Sequence, residues 1–65
     1  MSDYYEEEIV SIRDRAVKRL NNNSMTFNAR NELVELSADC GQALMHLKKG
    51  YLTGKQALNT VSGRL

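Results

Sequence analysis

Sixty-five residues with nine basic and eight acidic side chains give a chain of nearly neutral charge and at most one domain. That balance argues against strong non-specific attraction to nucleic acid or membrane, and no stretch has the apolar length of a membrane span. One cysteine and one histidine allow neither an intrachain disulfide nor a tetrahedral metal site within one chain.

A core this small rarely supplies more than about 3–5 kcal/mol, so a partner chain is the remaining source of support. The chain has no proline, and its β-branched residues are scattered, so helix is favoured over sheet. The acidic start, MSDYYEEE, resembles neither a signal nor a transit peptide, and a lone thiol suits a reducing cytoplasm.

The first predicted helix covers residues 4–21. Asp3 is its expected N-cap, with Glu6 as capping-box partner. Glu6, Glu7 and Glu8 in the first turns and Arg15, Lys18 and Arg19 in the last suit the helix dipole. Tyr5, Ile9, Ile12, Ala16 and Leu20 form one apolar stripe, which Val10 and Val17 widen. Asn21, Asn22 and Asn23 then break the pattern, and a left-handed Asn is expected to end the helix there.

Ser24 or Thr26 can cap the second predicted helix, residues 27–49. Ala29, Leu33, Leu36, Cys40, Ala43 and Leu47 are spaced alternately four and three apart, the seam of a helix packed lengthwise on another. The short connection predicts an antiparallel hairpin. That pairing sets the acidic start of the first helix beside Lys48 and Lys49, and its basic end beside Glu32 and Glu35. A second stripe, Phe27, Val34, Ala38, Gly41 and Met45, lies about 120° around the helix from the first. A helix apolar over that arc is expected to be buried on two sides.

Gly50 is the expected C′ glycine, with Tyr51 folding back on the last turn. Thr53-Gly54-Lys55-Gln56 is a T-x-x-Q capping box, with Leu52 and Ala57 as its hydrophobic staple. A third helix over about residues 54–62 follows, and Arg64-Leu65 reads as a tail. The expected fold is therefore all-α: an antiparallel helical hairpin with a short third helix, completed as a bundle by homodimerisation.

No catalytic, metal or cofactor-binding residues are assigned. Cys40 lies on the main seam, the ordinary place for a small buried thiol, and His46 points about 120° away from it on the same helix. The three consecutive glutamates diverge around the first helix rather than converge on a metal. No Gly-rich loop stands before a helix with a phosphate-binding lysine.

The favoured expectation is a non-enzymatic, self-associating protein–protein interaction module, a small regulator, inhibitor or adaptor of the phage or bacterial accessory kind. It acts through Tyr4, Phe27, Val34, Ala38, Met45 and Tyr51 on a protein target. Aromatic residues and Met are enriched at such surfaces. The alternative is a DNA-binding regulator built on the second helix, its turn and the third helix. Lys48, Lys49, Lys55 and Arg64 would contact phosphates, and Gln56 and Asn59 would read bases. A loose turn, a short third helix and the glutamates beside Lys48 and Lys49 count against it.

Overall fold

The computed structural model describes residues 3–22 and 24–65. It contains three helices and, among the described residues, no strand: α1 (Tyr4–Leu20), α2 (Phe27–Lys49) and α3 (Gly54–Asn59). Helices α1 and α2 form the antiparallel hairpin, and α3 packs back against both.

The ends of α2 fall where the sequence places them because both caps are local. The Thr26 side chain accepts a hydrogen bond from the Ala29 N–H. Gly50 takes φ 80°, its N–H donates to the Leu47 carbonyl, and the Tyr51 N–H donates to the His46 carbonyl. This is the two-bond Schellman closure, which needs a left-handed residue and so favours glycine. The Tyr51 ring lies 5.7 Å from that of His46, folded back on the last turn.

Helix α1 departs from expectation at both ends. Asp3 caps it through the Tyr5 N–H rather than the Glu6 N–H, so the expected capping box does not form around the N3 amide. At the other end Asn21 is right-handed (φ −75°), not left-handed. The helix stops one residue earlier than expected in tightened turns, with Asn21 donating to the Lys18 carbonyl and Asn22 to the Arg19 carbonyl. The Leu20 carbonyl receives its donor from across the hairpin, the Arg30 guanidinium at 3.0 Å. Asn23 lies outside the described residues, and so does any part it plays in the turn.

The capping box of α3 forms as read: Thr53 accepts from the Gln56 N–H, and Gln56 accepts from the Thr53 N–H. The helix ends at Asn59, three residues short of the expected boundary. Its pattern continues as tightened turns, in which Thr60 donates to Ala57 and Val61 to Leu58. Val61 is nonetheless fully buried.

The core joins all three helices through Ile9, Ala16, Leu36, Cys40, Ala43, Ala57 and Val61. Ile12, Leu33, Leu44, Leu47, Leu52 and Leu58 close around it, partly buried. Among the described residues seven side chains are buried, of which three are large aliphatics and three are alanines. Full burial of a large aliphatic side chain is worth about 1.5–3 kcal/mol, so this core is thin for the chain it holds. Val17, expected to widen the α1 stripe, stands largely in solvent, while Val10 is half-buried.

The C-terminal residues are not a free tail. Arg64 forms an ion pair with Asp39 of α2. Leu65 borders two hollows, one with Ile12 and Leu58 and one with Ala29 and Leu33.

Candidate functional site: the outer face of helix α2

Helix α2 carries two apolar rows, and the fold uses one. The inner row, Leu36, Cys40 and Ala43 flanked by Leu33 and Leu47, faces the core. The outer row faces solvent. Phe27 is 76% exposed, Val34 54% and Met45 46%, and Ala38 and Gly41 are also exposed. Tyr51 (68%) follows α2 at its C-terminal end, and Tyr4 (63%) opens α1, which runs beside that end. The expected burial of α2 on two sides is thus met on one side within this chain.

The row is backbone-smooth at its centre. A Cβ added to Gly41 would meet no heavy atom within 4 Å. The nearest side chains along the row are Ala38 and Met45, so another helix can approach the backbone there.

Charge frames the row asymmetrically. Near its C-terminal end Asp3, Glu6 and Lys48 border one hollow together with Leu44 and Met45. Near its other end stands Arg30, whose guanidinium reaches the Leu20 and Asn22 carbonyls at the end of α1. Arg19 and Glu32 border a further hollow between the same helix ends. Opposite charges therefore do face each other at both ends of the hairpin. Among the described residues, however, the ion pair in direct contact is Arg64 with Asp39.

That pair bears on the residues expected to contact nucleic acid. Arg64 is held by Asp39. The Gln56 carboxamide oxygen is bound to the Thr53 N–H within the capping box. Lys48, Lys49, Lys55 and Asn59 are exposed, but α3 has six residues, less than two turns.

Cys40 is fully buried and free. Burial pushes its thiol up from the ordinary value of 9.0, and the nearby positive charges of Arg64 and Arg13 only partly offset this. The group is therefore a protonated thiol at neutral pH, not a thiolate. His46 faces a different hollow, bordered by Asp39, Gln42, Leu52 and Thr60. Among the described residues no three His, Cys, Asp or Glu side chains gather as a metal site would need. No described helix is long and apolar enough to cross a membrane.

Arg30 is the contributor that sequence patterning missed. Its role is to bridge two elements ten residues apart, and no local spacing rule marks an exposed arginine for that task.

No family model, curated protein or solved structure matches the chain.

Proposed function

We propose that this chain is a non-enzymatic, self-associating protein–protein interaction module, with a dimer as the favoured assembly. It acts as a small regulator, inhibitor or adaptor through the apolar faces of its helices, in a reducing, cytoplasmic setting that suits its buried free thiol. One observation carries this reading: Phe27, Val34, Ala38 and Met45 run along solvent while the core closes without them. Large apolar side chains aligned on one exposed helix face mark contact surfaces. A core of three alanines, one cysteine and three large aliphatics also leaves room for a partner to add stability.

The test is co-purification. A tagged and an untagged copy are expressed together, and the untagged copy is expected to follow the tagged one. The Val34→Asp/Met45→Asp double variant changes two exposed side chains, so helix content should persist while co-purification is lost. Retention of the untagged copy by the double variant would contradict the proposed surface.

A further inference from the structure

We infer that α3 and residues 60–65 form a strap that opens from the hairpin as a unit, that the Arg64–Asp39 ion pair latches it, and that its opening admits solvent to the Cys40 thiol. The strap is held by residues other than the outer row, and its opening requires no partner.

The strap is fastened at both ends. At its start Gly54 lies against Tyr5 of α1. At its far end Gly63 takes φ 78°, a left-handed turn that favours glycine. Arg64 then reaches Asp39 of α2, 25 residues away in the chain, and Leu65 borders hollows shared with Ile12 and Leu33. Between these fastenings Ala57 and Val61 are fully buried, and Leu58 is partly buried. Helix α3 has six residues, and helices this short are not stable by themselves in water. Units with few buried apolar contacts open locally at a lower free energy than the whole fold. Helices α1 and α2, of 17 and 23 residues, keep Ile9, Ala16, Leu36, Cys40 and Ala43 between them as the larger share of the core.

Cys40 lies beside the latch. It follows Asp39 in the chain and belongs to the same buried cluster as Ala57 and Val61. The Arg64 charge is close enough to act on its thiol. Because Cys40 is fully buried, a reagent reaches it only when a neighbour moves away. The latch joins two largely exposed groups, and such pairs are weak, so it favours the closed strap without locking it.

Thiol labelling of the full chain with an aromatic disulfide tests this, because Cys40 is the single cysteine. The mixed disulfide forms on Cys40, and the departing aromatic thiolate is followed by its absorbance. In the wild type the labelling rate is expected to rise with urea less steeply than global unfolding read from the helix signal, since an open strap exposes less surface than an unfolded chain. Arg64→Gln and Asp39→Asn should each accelerate labelling about two- to five-fold. The double variant should label no faster than the faster single one, because either change already breaks the latch. The same variants separate a latch from a direct effect of charge on the thiol. Arg64 draws the thiol toward ionisation and Asp39 opposes it, so charge alone would slow Arg64→Gln and quicken Asp39→Asn. Slower or unchanged labelling in Arg64→Gln, or additive gains in the double variant, overturns the latch. A urea dependence equal to that of global unfolding overturns the strap itself.

Discussion

Gly54 lies against Tyr5 so closely that a Cβ added to it would sit 2.6 Å from Cδ2 of the ring and 2.9 Å from the Tyr5 Cβ. This contact seats the first turn of α3 on the first turns of α1. Gly54 therefore serves two purposes: it occupies the capping box, and it leaves the space that the tyrosine fills. An alanine in the first turn of a helix is ordinarily neutral or favourable. Here Gly54→Ala should instead destabilise by about 1–3 kcal/mol, the range for overpacking, because the contacted atoms include the root of the tyrosine side chain. A urea titration with a lowered midpoint is the expected result, and Tyr5→Ala in the same chain should relieve only part of the clash, because the 2.9 Å contact with the residue-5 Cβ remains.

Gly41 predicts the opposite sign for the isolated fold. Nothing stands within 4 Å of the added Cβ, and the residue is mid-helix. Gly41→Ala should raise the stability of the monomer by about 1 kcal/mol through helix propensity. The same methyl group lies on the face proposed for self-association, so the dimer should weaken. Unfolding at low protein concentration reads the first effect, and sedimentation at high concentration reads the second.

Arg30→Ala should lower stability by about 1 kcal/mol, the ordinary net worth of a hydrogen bond, by stripping the Leu20 carbonyl of its donor. Arg30→Lys should recover much of this, since one guanidinium nitrogen, Nη1, donates to both the Leu20 and the Asn22 carbonyls and an ammonium also carries more than one N–H. Amide exchange in the last turn of α1 should accelerate in Arg30→Ala.

The Cys40 thiol predicts a pH dependence. Its value is raised in the folded chain by burial. The unfolded chain therefore loses this proton first as pH rises, and the folded state binds more protons in that window. The stabilisation is fully present below about pH 9, the ordinary thiol range, and declines as pH climbs toward the folded value. Denaturation curves of wild type and Cys40→Ala should converge in relative stability as pH rises above that range. A constant difference between them would show that the thiol titrates alike in the folded and unfolded chain.

Helix α2 was legible from sequence because its caps and both of its apolar rows are written in nearby residues: Thr26 before it, Gly50 after it, and alternating steps of three and four between them. The end of α3 was not. Ser62-Gly63 looks like a stop signal, yet the chain leaves α-helical geometry at Thr60, where the Thr60 hydroxyl turns back to the Ala57 carbonyl. Val61 keeps its place in the core across that change, so the apolar pattern persists while the hydrogen bonds shorten to three-residue steps at Thr60 and Val61. The Arg30 bridge, the Gly54–Tyr5 contact and the Arg64–Asp39 pair join residues far apart in the chain, and single-element spacing is blind to them. The outer row of α2 could be read as a second apolar stripe. That the row stays outside this chain's own core became visible only once α3 and residues 64–65 were seen to dock elsewhere.

The central claim is that the outer face of α2 is a surface for self-association. Sedimentation equilibrium on the wild type and on Ala38→Glu, across a concentration series in the micromolar range, tests it most directly. Ala38 is exposed, so the added carboxylate faces water in the monomer. In the proposed pair it is buried against the apolar face of the other copy. The expected result is a reversible dimer for the wild type and a helical monomer for Ala38→Glu. A wild type that stays monomeric throughout the series, or an Ala38→Glu variant that dimerises as tightly as the wild type, would contradict the account.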